Sequence, residues 1–375
     1  MTKTKTPPKS GKNASVRAKP RATITEVAKA AGVATGTVSR VFNNHADVHE
    51  DIRARVHAAA AKLGYVRLRQ RKRSRAGGDR SKTGNIGVVC FGMEDALVHL
   101  PVVSTALQGI ERSLSAEGRS VLFANIPDGE RVPPFLTDDH VSGLILKGPN
   151  QGTIPAAAKS ELVRSINRYP HVWLMGRPLN ARGDHVNFST LQAGQLVAEH
   201  LHEKGHRRVA FFNPKPGQVQ FEQLKAAFYI ATNQFGLEYS LLEAPPPDKR
   251  VWPLPAITLL DNVRDLIEKW AAIPAKKRPT ALFVPSDRTA VQLYSILNQM
   301  GLHVAKDVSV ISCNNEESLV MNLHPAVTTV DVQADLIGHL TVDQLSWRVE
   351  HPEIDQDIQV LVTPSLVVRD SVAQL

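Results

Sequence analysis

The stretch TITEVAKAAGVATGTVSRVFNN, residues 23–44, decides how the chain begins and how the rest should be read. Within Ile24–Ala31 the residues Ile24, Val27, Ala28 and Ala31 fall on one face at helical spacing. Gly32 follows, where a tight turn between two helices needs a backbone free to take positive φ. A second helix is predicted over Thr35–Phe42, with Val38, Val41 and Phe42 facing inward. Small Ala28 lets the helices approach, Gly32 turns the corner and Val38 plugs the junction. A third helix, Glu50–Leu63, offers Ile52, Val56, Ala59 or Ala60, and Leu63 on one stripe and closes a small core. This is a helix-turn-helix. Its outward face carries Thr35, Gly36, Ser39 and Arg40, small or polar groups plus one guanidinium, a combination that enters a major groove and makes a bidentate contact to guanine. A three-helix bundle with no part in DNA binding is the plainer reading of the same pattern.

Charge separates the two. Residues 1–83 hold 20 Lys and Arg against 5 Asp and Glu, whereas residues 84–375 hold 25 against 31. A basic head on a mildly acidic body fits a nucleic-acid-binding module joined to a domain with another task, though a charge run can also be a solubilising tail. Residues 1–22, rich in Lys, Pro, Ser and Thr, cannot offset the entropy of ordering and read as a disordered basic arm. Residues 23–65 are the head, and 66–83 (VRLRQRKRSRAGGDRSKT) read as a basic linker.

From residue 84 to 375 short apolar runs alternate with amphipathic stretches. Ile86–Phe91, Ser120–Ala124, Gly143–Leu146, Val172–Met175, Arg208–Phe212, Ala281–Val284 and Val308–Ser312 read as buried strands. Helices are expected at 102–117, 191–204, 219–235, 258–272 and 287–300. Such alternation predicts an α/β body of doubly wound parallel sheets, and its length calls for two lobes with a ligand cleft between them. At 42% hydrophobic and 22% charged residues, global disorder is excluded. No apolar run is long enough for a membrane span and no signal-peptide core follows the basic start, so a cytoplasmic protein is expected, with no membrane partner. Two cysteines, Cys90 and Cys313, support neither a disulfide framework nor a four-cysteine metal site, and both read as small buried hydrophobes.

The residues of the head resemble the lactose-repressor (LacI/GalR) family of bacterial transcription regulators, as do Arg53–Val56 (RARV) and Leu63–Tyr65 (LGY). The likeness continues in family order through Thr83–Val89 (TGNIGVV), Glu199–Leu201, Gly205–Phe211 (GHRRVAF), Asp307–Val310 (DVSV), Val327–Val330 (VTTV) and Pro364–Asp370 (PSLVVRD). The resemblance implies a homodimeric, sequence-specific regulator, read here as a repressor, on a pseudo-palindromic operator in double-stranded DNA. Its body resembles the periplasmic-binding-protein type I fold, which implies a clamp on a small, sugar-like effector.

By resemblance, Thr35, Gly36 and Arg40 occupy base-reading positions and Thr25, Ser39 and Asn43 phosphate-contacting ones. Ala34 replaces the usual Ser, a good helix N-cap, which costs about 1 kcal/mol unless Thr35 takes over. The linker lacks the family's Pro-Asn pair. Leu68 is its one candidate minor-groove wedge, and the block containing Arg69 and Arg71 fits phosphates or a narrow minor groove better. In the body, Asp287 matches a position that accepts bonds from ligand hydroxyls, and Phe228 one that covers a sugar face. The alternatives are a helix N-cap for Asp287 and a core aromatic for Phe228. Gln195 and Gly176 stand where many members have Arg and Asp, and Ser189-Thr190 where Asp-Asn is usual. Losing those charges points to a neutral, differently decorated ligand or to a weak site.

Enzyme chemistry is unsupported: there is no phosphate-loop, dinucleotide or nucleophile-elbow motif, and no cofactor is expected. His202–His206 (HEKGH) matches a zinc-protease pattern, but Gly205 should end the helix and put His206 beyond it. The competing readings are a sugar-binding or sugar-processing protein with a non-specific basic tether, and a regulator that needs no effector.

Overall fold

The computed structural model describes residues 23–42, 48–63, 84–92, 101–138, 140–149, 153–246 and 260–375. The described residues fall into two compact units, divided between residues 77 and 78. In the first, α1 (Ile24–Ala31), α2 (Thr35–Phe42) and α3 (Glu50–Lys62) enclose Val27, Ala28, Ala31, Val38, Val41, Val56, Ala59 and Ala60. Ala59 and Ala60 of α3 are both buried, whereas Leu63, expected on the same stripe, is 40% exposed.

Local chemistry sets these helix ends. Thr23 and Glu26 form a reciprocal capping box on α1. Gly32 takes φ 64° and closes the helix, with the Val33 N–H donating to the Ala28 carbonyl. Arg55, from α3, donates to the Ala31 carbonyl at 2.6 Å and so covers one of the acceptors α1 leaves open. Thr35 is already the first residue of α2, so the position before it falls to Ala34, which has no oxygen to cap with. Ala34→Ser should therefore stabilise the head by about 0.5–2 kcal/mol, read as a higher thermal midpoint of its helical signal.

The second unit alternates strand and helix: β1 (Asn85–Phe91), α4 (Pro101–Ala116), β2 (Ser120–Ile126), α5 (Pro134–Thr137), β3 (Gly143–Lys147), α6 (Glu161–Ile166), β4 (His171–Leu174) and β5 (Asp184–Phe188). Next come α7 (Thr190–Glu203), β6 (Arg208–Asn213), α8 (Val219–Gln234), β7 (Glu238–Glu243), α9 (Leu260–Ala272), β8 (Ala281–Phe283), α10 (Asp287–Gln299) and β9 (Ser309–Asn314). The chain ends with α11 (Glu317–Val320), β10 (Thr328–Asp331), α12 (Ala334–Glu350), β11 (Gln359–Val362) and β12 (Ser365–Val367). Two six-stranded sheets result, ordered β11-β5-β4-β3-β1-β2 in the first lobe and β12-β10-β9-β8-β6-β7 in the second. All pairings are parallel except β10 with β12.

Every expected strand and helix forms, with ends shifted by one or two residues. Cys313 lies inside β9 rather than after it, and β5, β7, β10, β11, β12, α5, α6, α11 and α12 are additional. The chain passes between the lobes three times, at β5–α7, β10–α12 and β11–β12, so the last stretch of chain completes both sheets.

Two helix pairs pack closely through glycine. A Cβ on Gly338 of α12 would lie 2.1 Å from the Ala106 carbonyl oxygen of α4, and one on Gly194 of α7 would lie 2.6 Å from the Ala227 backbone of α8. In the first lobe Asp184, fully buried, accepts from Arg348 at 2.5 and 2.9 Å, from Gln344 at 2.8 Å and from the Ile358 N–H at 2.8 Å. This pair fastens α12 to β5 and to the segment entering β11.

Candidate functional site

In the head, Thr25, Thr35, Gly36 and Arg40 are all exposed, on helices whose opposite faces are buried. A Cβ on Gly36 would meet nothing within 4 Å, so the glycine leaves open space on the outer face of α2 rather than serving close packing. Ser39 stands on α2. Asn43, Leu68, Arg69 and Arg71 lie outside the described residues.

In the body, a cleft of about 300 Å³ opens beyond the carboxyl ends of β4 and β5, where doubly wound sheets place ligands. Met175 and Gly176 turn the chain out of β4 with φ of 52° and 106° and line this cleft. Asn187, Ser189 and Thr190 line it from the first crossing between lobes, and Gln220 and Gln223 from the first turns of α8. Gly176 is thus at the site. Gln195 is not among the residues lining the cleft; it sits exposed on α7. The carboxamides Asn187, Gln220, Gln223 and Gln359 of the lining were not singled out from sequence. Polar residues opening a helix directly after a buried strand were the available signal.

Two expected effector residues are corrected. Phe228 is fully buried, and its ring lies 5.2 Å from that of Phe283, 6.1 Å from Tyr239 and 6.4 Å from Phe211. It is a core aromatic because α8 turns that face onto β6 and β8.

Asp287 is also fully buried, and neither alternative describes it: Ser286, not Asp287, caps α10. One oxygen of Asp287 accepts from the hydroxyls of Ser312 and of Thr329 (2.7 Å for the latter), and the other from the Glu316 N–H at 2.6 Å. The carboxylate therefore joins the start of α10 to β9, β10 and α11. Burial raises its pKa to about 6, opposed by those three donors and by Arg369. Its neighbour Glu316 is raised to about 7, again by burial.

The HEKGH stretch is not a metal motif in three dimensions. Helix α7 ends at Glu203, Gly205 takes φ 88°, and His206 lies beyond, with Nδ1 2.7 Å from the Thr280 hydroxyl. Burial lowers His206 to a pKa of about 4, so it is neutral at physiological pH. Cys90 and Cys313 are completely buried, and burial pushes the Cys90 thiol up to about 12.

An exposed recognition-type helix and a separate two-lobed unit with a cleft define a DNA-binding regulator with a ligand-binding body. Residues 23–67 match the model of bacterial regulatory proteins of the lacI family, and residues 198–372 match the periplasmic binding protein-like domain. The chain thus joins a lacI-family head to a periplasmic-binding-protein-like body. It is 28% identical to the ribose operon repressor of Escherichia coli (strain K12), over 93% of this chain and 99% of that protein. To the HTH-type transcriptional repressor PurR of Aliivibrio fischeri (strain ATCC 700601 / ES114) it is 26% identical, over 94% and 98%. Among solved structures, the Lac repressor dimer bound to operator and the anti-inducer ONPF superposes with a TM-score of 0.62 at 22% identity, over 94% of this chain and 100% of that one. The transcriptional regulator CelR–cellobiose complex gives 0.61 at 23%, with the same coverage. No helix among the described residues is long and apolar enough to cross a membrane.

Proposed function

We propose that the chain is a cytoplasmic, non-enzymatic repressor that binds a pseudo-palindromic operator as a homodimer and responds to a small, uncharged, carbohydrate-like effector. The observation that carries the DNA reading is the outer face of α2, where Thr35, Gly36 and Arg40 stand exposed over a buried scaffold. Arg40 and Thr35 read bases, since Gly36 has no side chain to offer. Thr25, Ser39 and Asn43 hold phosphates, with Arg69 and Arg71 adding backbone contacts and Leu68 the candidate wedge. In this reading residues 1–22 are an arm, 23–65 the head, 66–83 the linker and 84–375 the effector and dimerisation body.

The cleft supports a neutral ligand. No carboxylate is found among the described residues that line it, and Arg177, which does line it, is paired with Asp357 at 2.6 Å, whereas Asn187, Gln220 and Gln223 offer paired donors and acceptors suited to hydroxyls or ring amides. The named relatives suggest ribose and cellobiose for a first panel, to which purines are added as nucleobase-like compounds. Each is added to the full chain and the thermal midpoint of the body is recorded. A saturable rise for one compound, lost in Gln220→Ala and Gln223→Ala, supports the site. No rise for any pentose, disaccharide or purine would favour a regulator that needs no effector.

The dimer has a surface to form on. Strands β2 and β7 are outer strands of their sheets. They and α8 expose Phe123 (48%), Leu241 (43%), Tyr229 (51%) and Ile230 (49%). A charge at Leu241 should weaken self-association. Leu241→Asp is expected to raise the dimer dissociation constant about tenfold, measured by sedimentation. An unchanged constant would place the interface elsewhere.

A further inference from the structure

Glu316 precedes α11 in the second lobe and is 7% exposed; Asn314 hydrogen-bonds its carboxylate and the charge of Arg288 acts on it. Its carboxylate reaches across to the first lobe, where Oε1 accepts the Val102 N–H at 2.9 Å. Val102 lies in the first turn of α4, where backbone N–H groups have no partner within the helix and the macrodipole favours a negative charge. On its other side, the Glu316 N–H donates to Asp287, the carboxylate that ties α10 to β9 and β10. Helix α4 is in turn committed to the first lobe. It packs on α12 through Gly109 and Gly338, pairs Arg112 with Asp335, and places the Ser113 hydroxyl 2.8 Å from His339 Nδ1.

We propose that Glu316 is the latch between the lobes: separating them requires that its bond to Val102 break, and ligand occupancy of the cleft acts on that bond. The proposal rests on the reading of the body as an effector-binding clamp. Glu316 touches neither DNA nor, in this account, the effector; it is a positioning residue, and its acceptor oxygen rather than its bulk is what matters. The backbone of Glu316 belongs to the network around Asp287, so only its side chain is free to act in this way.

The test uses the full-length chain with Lys159→Cys and Lys306→Cys, exposed positions in the first and second lobes. Cys90 and Cys313 are buried, so spin labels go to the introduced cysteines. Mixing with unlabelled chain confines the label pairs to single protomers. In Glu316→Ala the interlobe distance should lengthen by more than about 2 Å, the scale of a hinge rearrangement. Val102→Pro deletes the donor from the other side, at a first-turn position that tolerates proline, and should do the same. Glu316→Gln keeps a carbonyl acceptor and should retain the parent distribution. Unchanged distances in both Glu316→Ala and Val102→Pro, or a shift just as large in Glu316→Gln, would overturn the latch. Operator affinity measured on the same samples separates the two claims. Shifted distances with unaltered affinity would keep the latch and count against effector control of the head.

Discussion

Asp287→Ala should destabilise the body by about 3–5 kcal/mol, seen as a lower urea midpoint, with operator binding and effector response lost together. The carboxylate is fully buried and accepts three hydrogen bonds, from Ser312, Thr329 and the Glu316 N–H. Alanine leaves those donors facing a void, and each buried group left without a partner costs about 1–3 kcal/mol. Asp287→Asn keeps an acceptor and the volume, but it adds an NH2 where two hydroxyls and an N–H already point, so it should recover only part of the loss. A variant that keeps the parent urea midpoint yet no longer responds to effector would return Asp287 to the ligand site.

Arg40→Ala should weaken binding to the preferred operator by about 1–3 kcal/mol, a loss of roughly tenfold to a hundredfold, and relax selectivity at one base pair in each half-site. The side chain is exposed on α2, where the neighbouring base-facing position, Gly36, has nothing to donate. In the proposed readout the head therefore leans on Arg40, with Thr35 beside it. Arg40→Lys separates charge from geometry: lysine keeps the attraction to phosphate but cannot present the bidentate fork, so selectivity should fall while salt dependence stays near that of the parent. An unaltered base profile in Arg40→Ala would remove the residue from the readout.

The head was legible in sequence because its contacts are local: Val27, Ala28 and Val38 share one small core across the turn at Gly32. The buried strands were legible because β1, β3 and β6 are covered on both faces and read as unbroken apolar runs. Strands β7 and β11 gave no such run, since they are largely exposed edge strands. Strand β5 hides behind Asp184, a charge that makes sense only with Arg348, 164 residues away. Helix α12 carries apolar groups on more than one side because it meets α4 as well as β3, β4 and β5.

The effector residues were hardest for the same reason. Whether Phe228 meets a sugar or other rings depends on Phe283 and Tyr239, which come from different strands. The role of Asp287 depends on Ser312, Thr329 and Glu316, all distant in the chain. Residue type and local spacing narrow the chemistry of such positions but do not decide which way a helix turns them.

The account stands most directly on sequence-specific binding by a symmetric pair of heads. Selection of bound fragments from a random DNA pool by the full-length chain, at physiological salt, measures that in one step. The account predicts a single enriched motif with two-fold symmetry, whose half-sites lose one base preference when the selection is repeated with Arg40→Ala. Salt-sensitive binding with no enriched motif would contradict it, leaving the basic head as a tether and the two-lobed body as the working part of the molecule.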